Sequence, residues 1–405
     1  MQIEYYDDGM SGFKHFDLTL VNPVFGSRLT STIIELDALR NKRLEGNVHP
    51  AVFFQLKEIF QLLESLGSAR IEGNNTTLSE IVEQRISGEV ATDESAREIA
   101  NTVNAMDFVE KHVKPSSKID HALIRELHKI VVKDLRKPPA GEGDVTPGMY
   151  RGHDVSITNA DHRPPSHVHV QSYMDELVEF INAPNEKQYI LLNVAFSHHR
   201  FAWIHPFGNG NGRVVRLLTY AMLIRQGFNV SEGRILNPTA IFCIDRDKYY
   251  AKLAAADRGS MQGLLAWADY VLYGLLDEIS KIDNLLDRDY LVNKILIPAI
   301  ATCRDTKSFS PLQADILEVA AQNMVMNASD IHHLMPKQVP AARSRELRKL
   351  KEAGLLIPID AKGAIGDGGR SYVLSFANSY LLRGVIKALR RENFLGVQAL
   401  DKPKL

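Results

Sequence analysis

A chain of 405 residues, 45% hydrophobic and 24% charged, has the composition of a core-forming globular protein and the length for two or three domains. Its formal net charge of -1 excludes any whole-chain electrostatic argument for nucleic acid or an acidic partner, so basic patches must be sought locally. Two cysteines, Cys243 and Cys303, are too few for a disulfide framework or a Cys-based zinc site, and no run reaches the roughly 18 uncharged apolar residues of a membrane span.

The acidic opening MQIEYYDDGM lacks the basic-then-apolar order of a leader, and a cytoplasmic protein with no membrane partner is expected. Helical periodicity dominates, with no fixed-period repeat, which predicts a mainly α fold. AVFFQLKEIFQLLESLGSARIEGNN reads as a helix ending near Glu72, where Gly73, Asn74 and Asn75 supply stop chemistry. TTLSEIVEQRI, SAREIANTVNAMDFVEKHV and IDHALIRELHKIVVKDL follow as amphipathic helices with Ser, Thr or Asp at their N-caps. In KPPAGEGDVTPGMYRGHDVSITNADHRPP the pattern breaks. Pro, Gly and Asn there bracket two strand-like stretches, Met149 to Arg151 and Val155 to Thr158, so a β-hairpin or extended flap is expected. Helices return in SYMDELVEFINAP, QYILLNVAFSHHRFAWI, NGRVVRLLTYAMLIRQGF and DRDKYYAKLAAADRG. A long connector, MQGLLAWADYVLYGLLDEISKIDNLLDRDYLVNKILIPAI, comes next, and composition shifts near Asp305.

Between two of these helices lies WIHPFGNGNGRVVR, Trp203 to Arg216. Its glycines let backbone N–H groups approach a ligand, and the following helix adds the positive end of its dipole, an arrangement suited to phosphates. Arg213 and Arg216, three apart, share a helix face from which both can reach phosphate oxygens. His205 stands beside the same anion as a candidate for proton transfer. A P-loop would need Lys and then Ser or Thr after the last glycine, and a dinucleotide fingerprint a third glycine where Arg213 stands, so neither motif applies. A plain Gly/Asn turn would explain the glycines but not two arginines and a histidine around them.

HPFGNGNGRVVR resembles the signature of Fic-domain proteins, His-Pro-Phe-x-(Asp/Glu)-Gly-Asn-Gly-Arg-x-x-Arg, at every defined position except Asn209. The flap before it and DRDKYYAKLAAAD after it also look like that family's hairpin and adenine-side helix, so the resemblance runs roughly from Thr30 to Leu276. It implies a mostly helical core that transfers AMP from ATP to a hydroxyl of a target protein. His205 would be the base, Phe207 would anchor the loop, and Gly210, Asn211 and Gly212 would form the anion nest. Arg213 and Arg216 would hold the β- and γ-phosphates, and Tyr249 and Tyr250 would lie near the adenine. Upstream, SARIEGN, Ser68 to Asn74, resembles the inhibitory motif (Ser/Thr)-x-x-x-Glu-(Gly/Asn) of some Fic proteins, which implies that Glu72 pairs with Arg216 and twists ATP out of line.

Asn209 is the departure. The resemblance places there a carboxylate for Mg²⁺ (or Mn²⁺), whereas Asn offers a carbonyl oxygen and no charge. A slow AMP transferase, a transferase tuned to another metal or nucleotide, and a fold kept for binding all follow, and the intact His205, arginines and nest favour the first. Past Asp305, SPLQADILEVAAQN, NASDIHHLM and PAARSRELRKLKEAGLL read as three short helices, and LIPIDAKGAIGDGGRSYVLS as a hairpin. Together they look like a winged helix-turn-helix. Its third helix is basic: Lys337 to Glu352 holds six Lys or Arg and two Glu, a net +4. The adjacent pairs His198–His199 and His332–His333 lack the i, i+4 spacing of helical zinc ligands.

The expected organisation is an N-terminal helical region over 1–100 with the inhibitory helix, and a Fic core over 101–280 with a β-hairpin flap. A connecting helix over 281–304, a winged helix-turn-helix over 305–380 and a tail over 381–405 complete it. The function read from the sequence is a protein adenylyltransferase autoinhibited by Glu72. The alternative is a weakened Fic fold acting as a nucleotide-sensing or DNA-binding regulator. ATP and an unknown protein target are the implied partners, with a homodimer and DNA at the winged helix left open.

Overall fold

The computed structural model describes residues 13–41, 48–87, 93–157, 160–228, 241–242, 245–360, 362–366 and 369–394. Cys243, Thr158 and the acidic opening lie outside the described residues. Two compact units share the chain. The first comprises Met1–Arg43, Gln61–Thr76 and Ala91–Ile279, and the second Leu44–Phe60, Thr77–Val90 and Ser280–Leu405. Both units are built from interleaved segments of the chain.

The first unit holds α1 (Arg28–Asn41), the second half of α2 (Pro50–Ile71), α4 (Glu94–His112), α5 (His121–Val131), α6 (His167–Asn182), α7 (Ile190–Ile204), α8 (Asn211–Arg225), α9 (Arg246–Ala256) and most of α10 (Met261–Asp283). Asp93, Asp120 and Asp245 cap α4, α5 and α9 by accepting backbone N–H groups, as short acidic side chains do at N-caps. α7 and α8 are buried on almost every face, which makes them the centre of the unit. α6 packs on α7, and α4, α5 and α7 pack on α8. Arg200, His199 and His198 of α7 find partners inside this core. Arg200 pairs with Glu176 at 2.6 Å and lies over the Trp203 ring. His199 binds Asp257 at 2.8 Å, and His198 joins Thr219 to Tyr249. The adjacent histidines therefore have structural partners on opposite sides.

Among the described residues, 149–157 form no strand, so the expected hairpin is absent there. Arg151 bonds both to the loop after α7 and within the segment: its N–H donates to the Pro206 carbonyl at 2.8 Å, and its Nη1 donates to the His153 carbonyl at 3.0 Å. A ladder is built from such backbone N–H groups.

The second unit contains α3 (Leu78–Ser87) and a helical run through Arg288–Tyr290, a π turn at Leu291–Leu296, and α11 (Ile297–Asp305). α12 (Pro311–Asn323), α13 (Pro340–Glu352) and α14 (Ser379–Arg391) complete its helices. Strands β1 (Met326–Asn327), β2 (Leu356–Ile359) and β3 (Ser371–Leu374) form an antiparallel sheet in the order β1-β3-β2, with Leu356 opposite Leu374 and Ile359 opposite Ser371. Ser310 and Gln313 form a reciprocal capping box at α12. NASDIHHLM gives a single 3-10 turn, His332–Leu334, where a helix was expected. The start of the expected tail belongs to α14, capped by Asn378 and burying Leu381, Leu382, Val385, Ile386 and Leu389. No helix among the described residues is long and apolar enough to cross a membrane.

Candidate active site

The loop from His205 to Gly210 is fixed from three directions. α7 ends because His205 turns into the left-handed region (φ 52°), its N–H still bonded to the Phe201 carbonyl at 3.0 Å. Arg151 clamps the turn from the flap side, with Nε donating to the His205 carbonyl at 2.9 Å. Phe207 is fully buried and stacks on the His128 ring at 3.8 Å. His128 Nδ1 accepts the Gly148 N–H at 2.8 Å, which leaves Nε2 to donate to the Asn209 carbonyl at 3.1 Å. Asp144 accepts the Asn209 N–H at 2.8 Å and the Thr146 N–H at 2.7 Å. Burial pushes the Asp144 carboxyl up, but His128 and these two N–H groups hold it well below the usual carboxylate range. Asn211 closes the turn by exchanging both amide bonds with the Phe207 backbone at 2.9 Å each. Gly210 takes φ +75° to let α8 begin.

A cavity of about 620 Å³ opens at the start of α8. That volume suits a ligand the size of a nucleotide. His205, Asn211, Gly212 and Arg216 line it on one side, and Tyr249, Tyr250, Leu253 and Arg246 on another. The first of those tyrosines is buried and donates its hydroxyl to His198, so it offers the cavity a ring, while Tyr250 is 41% exposed. Burial and the Arg151 guanidinium lower His205 to about 4, with Glu72 pulling the other way. His205 is therefore neutral near pH 7.

Ser68 and Glu72 come from α2 and its end to meet Arg216. Arg216 Nε donates to Ser68 Oγ at 2.9 Å, and Nη2 donates to the Ser68 carbonyl at 3.0 Å and to Glu72 Oε1 at 2.7 Å. The pairing is thus through one carboxylate oxygen with Ser68 completing it. Burial pushes the Glu72 carboxyl up, and Arg216 more than reverses this, so the carboxylate stays ionised. A Cβ at Gly212 would lie 2.0 Å from Glu72 Oε1, so the glycine is what lets the carboxylate reach the first turn of α8.

Four predicted residues, Ser68, Asn209, Gly210 and Arg213, are not among the lining residues. Arg213 is fully buried, 3.3 Å from Glu98 and 3.5 Å from Glu142, and Nη2 donates to the Glu142 carbonyl at 2.7 Å. Glu98 also accepts from Asn74 at 2.8 Å, so the segment after α2 is linked to both arginines. Asn209 does not fit a metal here. Its Oδ1 accepts the Gly210 N–H at 2.7 Å, and its Nδ2 donates to Glu142 Oε2 and to the Gly143 carbonyl, each at 3.3 Å. The oxygen a cation would need is engaged with a backbone donor.

Sequence reading missed His128, Asp144, Arg151, Glu98 and Glu142. Each lies on another helix or on the flap and acts by reaching the loop across the fold, so spacing within the loop holds no trace of it. The run of Gly and Asp in AGEGDVTPG was the nearest signal.

Residues 118–223 match the model of the Fic/DOC family. The chain is 30% identical to protein adenylyltransferase Fic of Nematostella vectensis over 200 residues, which cover 48% of this chain and 43% of that protein. It is 30% identical to protein adenylyltransferase Fic of Drosophila melanogaster over 203 residues, 48% of this chain and 37% of that protein. The matched stretch thus spans less than half the length of these relatives. A crystal structure of a Fic family protein from Desulfovibrio desulfuricans superposes with a TM-score of 0.54 at 19% identity, covering 88% of this chain and 97% of that one. That likeness establishes a mainly helical Fic-type fold.

Proposed function

Because this chain carries a Fic/DOC domain related to protein adenylyltransferase Fic, we propose that it transfers AMP from ATP to a Ser, Thr or Tyr hydroxyl of a target protein and is restrained by its own Glu72. The observation that carries this reading is the meeting of His205, Arg216 and Glu72 on one nucleotide-sized cavity. In this reading the triphosphate lies along Asn211, Gly212 and Arg216, where free N–H groups and the helix dipole favour anions. The target hydroxyl oxygen bonds to the α-phosphorus, the bond from that phosphorus to pyrophosphate breaks, and the hydroxyl proton passes to neutral His205. Tyr249, Tyr250 and Leu253 face the same space and suit the base. Glu72 and the terminal phosphate compete for one guanidinium, so ATP is held correctly only when Glu72 leaves. Arg213 serves the phosphates once it turns from Glu98, while Glu142 keeps it oriented.

The test is incubation with labelled ATP in Mg²⁺ or Mn²⁺, comparing the native chain with His205→Ala. Label should transfer to protein in the native chain and vanish in the variant, while ATP binding persists. Undiminished transfer in His205→Ala would sink the enzyme reading and leave a nucleotide-sensing regulator. A second reading concerns 305–380, which we take as a winged helix-turn-helix with duplex DNA as its partner. It is supported by α12 and α13, by the hairpin β2–β3 with β1 at its edge, and by exposed basic residues on α13 and the hairpin.

A further inference from the structure

Every polar group of residue 209 is engaged with a neighbour. Its N–H goes to Asp144, its carbonyl to His128, its Oδ1 to the Gly210 N–H, and its Nδ2 to Glu142 and the Gly143 carbonyl. The side chain has one orientation that satisfies this set. Turned over, its oxygen would face a carboxylate and a carbonyl, and its NH₂ would face an N–H. Glu142 then reaches from Asn209 to Arg213, whose Nη2 lies 3.5 Å from the same Oε2. Asn209, Glu142 and Arg213 form a line from the loop to the first turn of α8.

We infer that Asn209 is a positioning residue, not a weakened metal ligand: its amide fastens the anion-binding loop to Glu142 and Gly143, and Glu142 in turn orients Arg213. The neutral amide is needed because of what it faces. An aspartate here would set a carboxylate oxygen against Glu142 Oε2 and the Gly143 carbonyl, both of which accept, with no proton between them. Glu142 already sets a carboxylate beside position 209, so an acid introduced at 209 alone creates a conflict. The consequence for nucleotide rests on the proposed function; the consequence for the loop does not.

The experiment compares the native chain with Asn209→Asp and with the double variant Asn209→Asp/Glu142→Gln. Thermal midpoints are measured without ligand, and ATP affinity by calorimetry with and without Mg²⁺ in the Glu72→Gly background. Asn209→Asp should lower the midpoint by a few degrees and weaken ATP binding about tenfold without Mg²⁺, with no recovery on adding it. The double variant should regain both, because the amide introduced at 142 can donate to the carboxylate introduced at 209. A gain of Mg²⁺-dependent affinity in Asn209→Asp with an unchanged midpoint would overturn the inference, as would a double variant no better than the single. If the chain binds no ATP at all, the nucleotide reading fails, and the midpoints still decide whether Asn209 fastens the loop.

Discussion

A histidine that receives a proton must be unprotonated beforehand, and His205 meets that condition through two influences of this fold. Burial removes water that would stabilise the imidazolium, and Arg151 adds positive charge; the Glu72 carboxylate opposes both, and the balance falls at about 4. The pH consequence has a definite sign. Between about 4 and the ordinary value of 6.5 the folded chain binds fewer protons at this site than the unfolded chain, so its contribution to stability rises with pH through that window. The same shift predicts an imidazole NMR titration with its midpoint near 4, the signal being assigned by its loss in His205→Ala. Glu72→Gly should not raise that midpoint, because Glu72 favours the charged form. A midpoint between 6 and 7 in the native chain would show that water reaches the ring freely, and His205 would then be part-protonated in working conditions.

At the scale of elements, the end of α2 is bonded to the first turns of α8. Glu72 holds Arg216 directly, and Asn74, two residues on, holds Glu98, which faces Arg213. One segment thus touches the partners of both arginines, a link that spacing alone could not reveal because Glu98 lies on α4. A charge-assisted bond of the Glu72–Arg216 kind is worth roughly 1.5–3 kcal/mol, or about one to two orders of magnitude in the population of correctly held ATP. Glu72→Gly should therefore raise self-labelling tenfold or more. In an Arg216→Ala background the same substitution should add almost nothing, because the restrained group is gone. Equal gains in both backgrounds would mean that α2 acts by covering another surface.

At the scale of the whole molecule, the parts that were legible in sequence are those written in consecutive residues. The ends of α2, α5, α7 and α8 follow from caps, glycines and apolar spacing, and the loop chemistry follows from HPFGNGNGRVVR. What escaped depends on distant partners: Arg151 of the flap, which bonds to the loop after α7, and the start of the tail, which becomes α14 because its apolar face finds a core. Charge behaves likewise, since a net -1 over 405 residues conceals local asymmetry. Lys337, Arg345, Arg348, Lys362 and Arg370 are all exposed, and none is paired with a carboxylate among the described residues, whereas Lys349 is held by Glu346 at 2.7 Å. Arg345 and Arg348 share the solvent face of α13, opposite the buried Leu347 and Leu350. Five such charges on duplex DNA would release counterions and give a slope of log K against log salt of about -4 to -5. Fluorescence anisotropy with a labelled duplex across a salt series measures that slope directly. Neutralising Arg345, Arg348 and Lys362 together to Ala should make it shallower by about 3 while leaving the thermal midpoint nearly unchanged, because exposed, unpaired charges contribute little to stability. A slope unaffected by the triple variant, or no binding even at low salt, would return these residues to the role of a solvated face and leave the second unit without a nucleic-acid partner.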